Sequence, residues 1–318
     1  MKIVFVTTTG EDYLQDSILH GMRSLIHEDC VDFPRKKILY QDWSEKNKNE
    51  LHGRGFSMYS AAISEIQNRE LDNADFVLYG VSKNSNDFSF ENPKINSLVC
   101  PSKIWHLDGH DLYGGAYTEL RTITHDNEAV IGVQKTPCFK RELIEEVSGA
   151  YPIGFGIPSH NIRSIDITRK KQFFQKTAPH DSVFLPVNDM GGGFRHHSFI
   201  NEDDYYADIQ DSWFGLTCKK GGWDCLRHYE IMAAGSLLLF KDYHKKPPLC
   251  SPIGFPTISY SSEEELFEIM NKLVINNKPT EKYISLLREQ RKWLINHGTT
   301  TARALSVFNT LNDINTND

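Results

Sequence analysis

The amino-acid sequence predicts an α/β fold built on parallel sheets, and three observations lead to this prediction. Short apolar runs typical of buried strands alternate with segments whose apolar residues recur at helical spacing, as in βαβ units. A length of 318 residues is most simply two domains, each able to bury its own core. Hydrophobic residues at 39% and charged residues at 24% are ordinary for a globular protein.

The first half of the chain shows the clearest alternation. Residues 2–7 predict a strand, and apolar residues at helical spacing within residues 14–25 predict the helix after it. Residues 57–69 have the same spacing and predict another helix. Further buried strands are predicted at residues 75–79, 103–107, 129–133 and 151–155.

A change in composition after Pro158 predicts a domain boundary. The connection that follows is locally basic, and we expect its cations to be exposed: Arg163, Arg169, Lys170, Lys171 and Lys176. We therefore predict an N-terminal domain at residues 1–158 and a C-terminal domain at residues 159–298. A helix and tail at residues 299–318 are expected to cross back to the first domain.

The second half repeats the pattern of strands and helices. Strands are predicted at residues 182–187, 213–218 and 236–240, and helices near residues 224–234, 283–294 and 301–311. Ser262 and Glu265 have the spacing of a capping box at the start of one more helix. An acidic helix is expected to begin near Asn201 and to keep its carboxylates in solvent: Glu202, Asp203, Asp204, Asp208 and Asp211.

The charge balance and cysteine pattern argue against several classes of protein. The formal net charge is −7, whereas a general nucleic-acid binder needs a basic surface to neutralise phosphates. No run of about 18 apolar residues occurs, so no transmembrane segment is predicted. The six cysteines are scattered without a C-x-x-C pair, which is typical of reduced thiols in a cytoplasmic protein and predicts no cysteine-based metal site.

The strongest functional signal lies in residues 214–240. They predict a buried strand, a loop containing Gly221 and Gly222, a helix, and another buried strand. Such a loop places free backbone N–H groups and the positive end of a helix dipole at the carboxyl edge of the sheet, where phosphate binds. Lys219 and Arg227 would add positive charge. Glu230 could accept hydrogen bonds from a ribose diol, or form a surface ion pair with Arg227.

The segment GGWDCLRHYEIMAAG at residues 221–235, with the apolar strand after it, resembles the donor-binding segment of GT-B glycosyltransferases, most of all CgeB-like and family-1-type members. Residues 10–25 resemble the first loop and helix of such proteins, and FGIP at residues 155–158 resembles their approach to the interdomain crossing. The resemblance implies two Rossmann-like domains facing a cleft, and a glycosyltransferase that uses a nucleotide-sugar donor.

The resemblance also implies a set of donor-binding residues: Lys219, Gly221, Gly222, Asp224, Arg227 and Glu230. Of these, Glu230 would bind the ribose, while Arg227 and Lys219 would face the diphosphate. Retaining members commonly carry a glutamate where this chain has Gly222, so inversion is favoured, with one general base acting on the acceptor hydroxyl.

A second glycine-rich loop at residues 191–193 precedes Arg195. Similar enzymes place a donor-phosphate loop here, which implies that Arg195 faces the pyrophosphate; a plain surface loop is the alternative. Such enzymes generally use a helix dipole and cationic side chains in place of a divalent ion, so no metal or other cofactor is expected.

Residues 106–111, HLDGHD, supply the candidates for the general base. They follow a predicted strand and therefore lie at its carboxyl end. Asp108 and His110 are the favoured bases, with Asp111 beside them. The alternative is a polar β-turn whose aspartates hydrogen-bond their own backbone.

The loop after the first strand could line the acceptor side of the cleft through Thr8, Gly10, Asp12 and Tyr13, or could simply cap the next helix. The prediction is thus a transferase that takes a UDP- or GDP-linked sugar and an acceptor that is a glycan, a lipid-linked glycan or another hydroxyl compound. Two alternatives stay open. One is a non-catalytic nucleotide-sugar-binding or glycan-binding protein; the other is a viral-type DNA-modifying glycosyltransferase, which only the basic stretch at residues 163–176 supports.

Overall fold

The computed structural model describes residues 1–8, 10–81, 92–111, 120–122, 129–131, 137–179 and 199–315. Its strands are β1 (Ile3–Val6), β2 (Cys30–Phe33), β3 (Phe76–Val81), β4 (Ile104–Asp108), β5 (Leu120–Thr122), β6 (Ala129–Ile131), β7 (Cys138–Lys140), β8 (Ala150–Pro152), β9 (Gln172–Phe174), β10 (Ser212–Cys218), β11 (Leu237–Lys241), β12 (Ile258–Tyr260), β13 (Val274–Ile275) and β14 (Lys278–Pro279). Its α-helices are α1 (Tyr13–Ile26), α2 (Gln41–Asn47), α3 (Pro93–Asn96), α4 (Glu202–Gln210), α5 (Leu226–Ala234), α6 (Glu263–Leu273), α7 (Glu281–Trp293) and α8 (Thr300–Asn315).

The first sheet has the strand order β2-β1-β3-β4-β7-β8, and every pairing in it is parallel. All four residues of β1 are buried, as expected of a strand covered on both faces. Asp12 ends the loop after β1 and starts α1, because its carboxylate accepts hydrogen bonds from the backbone N–H groups of Leu14 and Gln15, both at 3.1 Å. Because the strands of this sheet are parallel, the loops after β1, β4 and β7 all lie at the same edge of the sheet.

The second sheet has the order β12-β11-β10-β9 and is also parallel throughout. Helix α5 connects β10 to β11 and ends at Gly235, whose φ of 86° is the left-handed conformation that glycine adopts without strain. Two parallel sheets with helical connections confirm the predicted α/β fold. None of the helices in the described part of the chain is both long and apolar enough to span a bilayer.

The last helix returns to the first half of the chain and packs along α1. Gly21 permits the close approach, because a Cβ there would overlap the carbonyl group of Thr300. Where the chain crosses between the halves, Ile157 N donates to Gly298 O at 2.9 Å and Thr300 N donates to Ile157 O at 3.0 Å. The domain boundaries at residues 158 and 298 stay a prediction.

The helix predicted at residues 57–69 is wrong. The chain there is irregular, and Gly55 and Ser57 both have a φ of 66°, which a right-handed helix excludes. Of the apolar residues that gave the helical spacing, Met58 and Ile66 are buried, whereas Ala61 is half-buried and Ala62 is exposed. The helical spacing therefore coincides with the partial burial of an irregular segment.

The sequence also misplaces one strand of the first sheet. The strand between β4 and β8 is β7, which is only three residues long and ends in Lys140, so its hydrophobicity gives little signal. The run predicted at residues 129–133 contributes β6, which pairs antiparallel with β5 outside this sheet. The strand predicted at residues 182–187 lies outside the described residues.

The basic connection is not uniformly exposed, so the prediction of exposed cations is wrong for Lys170. Its ammonium group donates to Gln210 O at 2.8 Å and to Gly235 O at 2.9 Å, at the ends of α4 and α5. It also donates to Ser236 Oγ at 3.2 Å. Burial lowers the pKa of Lys170 to about 7. This side chain ties the carboxyl-terminal ends of two helices together.

We expect Lys170→Met to lower the free energy of unfolding by about 1–3 kcal/mol, because it leaves shielded acceptors without a donor. Lys171→Met is the matched control. Its side chain is 73% exposed and its ion pair with Asp211 lies at the surface, so its loss should cost less than about 0.5 kcal/mol. Urea unfolding of both variants measures the difference. Equal losses of unfolding free energy would contradict the role of Lys170 in joining the ends of α4 and α5.

Candidate active site

Loops from separate stretches of the sequence meet at the carboxyl edges of the two sheets. Arg141, directly after β7, joins them: its Nε donates to Gly109 O at 3.2 Å and its Nη1 to Asp224 O at 2.6 Å. Its Nη2 pairs with the carboxylate of Asp111. The loop after β4 and the loop before α5 are therefore held together by one buried guanidinium group.

The glycine loop after β10 packs directly against charged side chains of the first half. A Cβ at Gly221 would overlap the Asp111 carboxylate, and a Cβ at Gly222 would overlap that of Glu142. Glu142 Oε1 also accepts a hydrogen bond from Asp224 N at 3.2 Å. The structure thus brings the predicted donor loop and the predicted catalytic loop together, and glycine is required at both positions because of this contact.

Arg141 and Glu142 belong to the site, and the sequence analysis does not single them out. Both are buried, and Arg141 Nη1 lies 3.3 Å from Glu142 Oε1. A signal existed: Lys140, Arg141 and Glu142 are three consecutive charged residues after a short apolar run. Without β7 in the predicted sheet, nothing placed them at its carboxyl edge.

Asp224 fixes α5 to the first half of the chain. Its Oδ2 accepts a hydrogen bond from Phe155 N at 2.7 Å, and its Oδ1 accepts one from the hydroxyl group of Tyr229 at 2.8 Å. The side chain is buried. Its carboxylate therefore positions the helix.

The N-terminus of α5 has the features of an anion site. Cys225 is the N-cap residue and forms no side-chain hydrogen bond to the helix, which leaves the first N–H groups without a side-chain cap. Arg227 lies in the first turn, and its Nη1 is shielded from solvent without a hydrogen-bond partner among the described residues. Helix dipole, backbone N–H groups and guanidinium group together favour an anion such as phosphate.

Glu230 lies farther along the same helix and is enclosed by protein hydroxyl groups. Its Oε1 accepts a hydrogen bond from Ser57 Oγ at 2.5 Å, and its Oε2 accepts one from the Tyr205 hydroxyl at 2.6 Å. Burial raises the pKa of the Glu230 carboxyl, although these hydrogen bonds and Arg227 oppose the rise. The carboxylate thus accepts a hydrogen bond from a hydroxyl group on each of its two oxygens.

Ser57 is the residue that closes this part of the cleft. It is fully buried, its φ of 66° is unusual for a serine, and its backbone N–H donates to Glu202 Oε1 at 2.7 Å. Its carbonyl oxygen accepts a hydrogen bond from Asn161 Nδ2 at 2.8 Å.

The expectation of a solvated acidic helix is wrong for Glu202, because its carboxylate binds Ser57 N. It is also wrong for Asp208, which is buried.

Asp108 and His110 form a hydrogen-bonded pair. Asp108 is fully buried, with its Oδ1 2.9 Å from His110 Nδ1 and its Oδ2 3.0 Å from Lys140 Nζ. Burial alone would raise the pKa of Asp108, but Lys140 and His110 outweigh it and hold the pKa well below its usual range. Asp108 is therefore a poor proton acceptor, and it orients His110 so that Nε2 is the nitrogen available to accept a proton.

The turn predicted as the alternative is present as well, because His110 N donates to Asp108 Oδ1 at 3.0 Å. Asp111 pairs with Arg141, which engages its carboxylate in joining the two halves. Of the three predicted catalytic residues, Asp108 is fully buried and Asp111 is paired with Arg141, whereas His110 is oriented by Asp108 and is 19% exposed.

Hydrogen bonds from a buried lysine, Lys36, hold the loop after β1 in place. Lys36 Nζ donates to Thr8 O at 3.0 Å and to Gly10 O at 2.5 Å. Asp12 caps α1, and the ring of Tyr13 packs 6.0 Å from that of Phe155. Thr8, Gly10 and Asp12 thus lie between β1 and α1, and Tyr13 is the first residue of α1, whose N-cap is Asp12 as the helix-capping alternative requires.

Of the two remaining predicted donor cations, Lys219 and Arg195, the structure describes Lys219. Lys219 is exposed, and its Nζ lies 5.8 Å from the ring centroid of Trp223. Arg195 and the glycine loop before it lie outside the described residues.

Among the residues that the structure describes, no group of three or more histidine, cysteine or acidic side chains has the arrangement of a metal site.

Comparison with known proteins adds the fold relationship. No protein-family model matches the chain, and no curated protein matches its sequence. An alpha-glucosyltransferase solved with UDP and a 13-mer DNA containing an HMU base matches with a TM-score of 0.52 at 10% identity, covering 98% of this chain and 99% of that one. The fold is GT-B-like.

Alr3699/HepE of Anabaena, solved with UDP and glucose, matches with a TM-score of 0.51 at 8% identity, over 98% of this chain and 100% of that one. A structure of the same protein with UDP-glucose gives a TM-score of 0.50 at 9% identity, again over 98% and 100%. These matches confirm the fold class predicted from the sequence, and at such identities they concern the fold.

We expect Gly222→Ala to lower the free energy of unfolding by about 1–3 kcal/mol, because its methyl group would overlap the buried Glu142 carboxylate and lie 2.9 Å from Arg141 Nη1. Gly10→Ala is the matched control, since no described atom lies within 4 Å of a Cβ there. Its effect should stay within about 0.5 kcal/mol. Chemical unfolding measures both, and a Gly222→Ala protein as stable as Gly10→Ala would contradict the close contact.

Proposed function

We propose that this protein is a glycosyltransferase that moves a sugar from a nucleotide-sugar donor to an acceptor hydroxyl group. One observation carries the proposal. The anion-binding N-terminus of α5 and the loop that bears His110 are held against each other by the Arg141 guanidinium group. An anion site for a leaving diphosphate and a base for an acceptor hydroxyl are the two elements that sugar transfer requires.

The diphosphate of the donor would bind at the N-terminus of α5, with Arg227 supplying positive charge. The first backbone N–H groups of α5, which Cys225 leaves without a side-chain cap, would contact the diphosphate there. The similar alpha-glucosyltransferase and HepE were both solved with UDP, which supports a nucleoside diphosphate as the anion. Because negative charge on the diphosphate grows as the glycosidic bond breaks, the same groups would stabilise the transition state.

Glu230 would bind the ribose of the donor. The carboxylate already accepts hydrogen bonds from the hydroxyl groups of Ser57 and Tyr205, the same kind of group that a ribose diol presents. Donor binding therefore requires Ser57 to move away, and the ribose would replace its hydroxyl group.

His110 would act as the general base, with Asp108 as its positioning residue. The acceptor hydroxyl would pass its proton to His110 Nε2 as its oxygen attacks the anomeric carbon and the nucleoside diphosphate leaves. A single base on the acceptor side is the arrangement of an inverting reaction, and we propose inversion on that ground. Lys140 and Asp108 keep their charges paired in the buried layer beneath the base.

The basic stretch at residues 163–176 does not favour a DNA-modifying enzyme. Arg169 and Lys171 pair with Asp211, and Arg163 pairs with Asp203. Lys170 is occupied by helix carbonyl groups. The side chains of these cations are paired within the protein, whereas binding to a DNA backbone requires exposed cations that can contact its phosphates.

We expect Arg227→Gln to weaken binding of both UDP and inorganic pyrophosphate by about tenfold or more, because it removes a charge-assisted contact to phosphate. Glu230→Gln should weaken UDP binding and should not weaken pyrophosphate binding, because it removes a carboxylate acceptor for the ribose and leaves the charge of Arg227 in place. Glu268→Gln is the control, since the Glu268 side chain on α6 is 63% exposed and pairs with Lys272 at the surface. Calorimetric titration measures all three, and unchanged UDP affinity in Glu230→Gln would refute the ribose assignment.

We expect His110→Gln to lower sugar transfer by about 10²–10⁴-fold, the usual contribution of a general base, while UDP affinity stays the same. The measurement is turnover of UDP-glucose and GDP-linked sugars with and without acceptor sugars, beside calorimetric binding of UDP. A wild-type protein that binds nucleotide and turns over none of these donors would support the alternative of a binding protein.

A further inference from the structure

Four hydrogen bonds fix Asp224 at the point where the loop after β10 enters α5. Its N donates to Glu142 Oε1 at 3.2 Å, and its O accepts from Arg141 Nη1 at 2.6 Å. Its Oδ2 accepts from Phe155 N at 2.7 Å, and its Oδ1 accepts from the Tyr229 hydroxyl group at 2.8 Å. Because the N-cap residue of α5 follows directly, the position of Asp224 sets that of the first N–H groups of the helix.

Arg303, on α8, binds both partners of the Asp224 carboxylate. Its Nε donates to Phe155 O at 3.0 Å, and its Nη2 donates to the Tyr229 hydroxyl oxygen at 3.2 Å. The hydrogen bonds therefore form a closed ring that runs from Asp224 through Phe155, Arg303 and Tyr229. This ring joins α8, the segment before residue 158 and the start of α5, which are far apart in the sequence.

The Tyr229 hydroxyl group serves two neighbours at once, because it has one proton to donate and lone pairs that accept. It donates to Asp224 and accepts from Arg303. Burial and the nearby Asp224 carboxylate raise the pKa of Tyr229 well above its usual value, so the hydroxyl group keeps its proton. A guanidinium group on one side and a carboxylate on the other polarise this hydroxyl in the same direction and strengthen both hydrogen bonds.

Two aromatic rings flank the guanidinium group of Arg303. Its Cζ lies 5.9 Å from the ring centroid of Tyr229 and 5.7 Å from that of Trp293. A planar guanidinium group has donors in fixed directions and reaches a carbonyl oxygen and a hydroxyl oxygen together, whereas an ammonium group acts as a point charge. The geometry therefore requires arginine and not simply a positive charge.

We propose that Arg303 is a positioning residue for the diphosphate of the donor. Acting through Tyr229 and Phe155, it holds Asp224, and with it the first N–H groups of α5, in the geometry that binds phosphate. The inference rests on the proposed function, which places the diphosphate at this end of α5. Loss of Arg303 should misdirect these N–H groups, and hydrogen bonds weaken steeply as their angles depart from linearity.

The test is calorimetric titration of the full chain with inorganic pyrophosphate and with UDP. Arg303→Met keeps an unbranched apolar side chain and removes the donors to Phe155 O and Tyr229. We expect it to weaken binding of both ligands about tenfold. Urea unfolding of each variant establishes the conditions under which it is folded, and the titrations are carried out there.

Arg291→Met is the matched control, because Arg291 binds the opposite end of the same helix. Its Nη2 donates to Ala233 O at 3.2 Å, and its Nη1 donates to Arg163 O at 2.6 Å. This variant also loses two hydrogen bonds from a guanidinium group, so it should lower the urea midpoint. It should leave the affinities for pyrophosphate and UDP unchanged.

Two further variants separate positioning from charge. Arg303→Lys keeps the positive charge without the fork of donors, and it should bind both ligands more weakly than the wild type. Tyr229→Phe removes only the hydroxyl group that links Arg303 to Asp224, and it should weaken both ligands by itself. Arg303→Met added to Tyr229→Phe should cost less than about threefold more, because the link is already broken.

Each failure has its own signature. A wild-type protein that binds neither pyrophosphate nor UDP would overturn the proposed function together with this inference. A folded Arg303→Met protein with unchanged affinities would overturn the inference and leave the function standing, and so would an equal loss of affinity in Arg291→Met. Full affinity in Arg303→Lys would assign the effect to charge. Additive losses in the double variant would show that Arg303 does not act through Tyr229, and either result overturns the inference.

Discussion

The buried guanidinium group of Arg141 is the interaction on which the arrangement of the site depends. Its fixed fork of donors reaches the backbone of Gly109 on one side and of Asp224 on the other, while Asp111 supplies a counter-charge. Removing one partner of a buried charge pair costs about 3–5 kcal/mol, because the other is left uncompensated. The group therefore sets the distance between His110 and the N-terminus of α5, a distance that neither half of the chain determines alone.

Ser57 helps to shield the carboxylate of Glu230 from water in this cleft. Its left-handed backbone costs about 1–2 kcal/mol for a residue with a side chain, and hydrogen bonds to Glu202, Glu230 and Asn161 offset that cost. A sugar-nucleotide donor that binds Glu230 as proposed would compete with this serine, and the competition would lower its apparent affinity. Tyr205 can stay in place, since it occupies the other carboxylate oxygen.

The sequence predicts the parts of this structure whose signals are local. The glycine loop and helix around Glu230 form one continuous segment, so residue type and spacing disclose both. Arg141 and Ser57 could not be found in this way, because their roles come from contacts with residues far away in the chain. Lys170 was misjudged for a related reason: a lysine in a basic run resembles a solvated one until two helix ends are placed beside it. The assignment of Glu230 to a ribose stays a prediction.

The chain passes between its two halves twice, and the two passages lie side by side. Ile157 and Thr299 pair as a parallel bridge, and the backbone hydrogen bonds around them join the outgoing and returning segments. Two halves connected by one flexible segment could separate in any direction, but two hydrogen-bonded crossings side by side form a hinge. Any motion that separates Ser57 from Glu230 would then be a rotation about this hinge. The largest displacement would occur at the rim of the cleft farthest from the hinge.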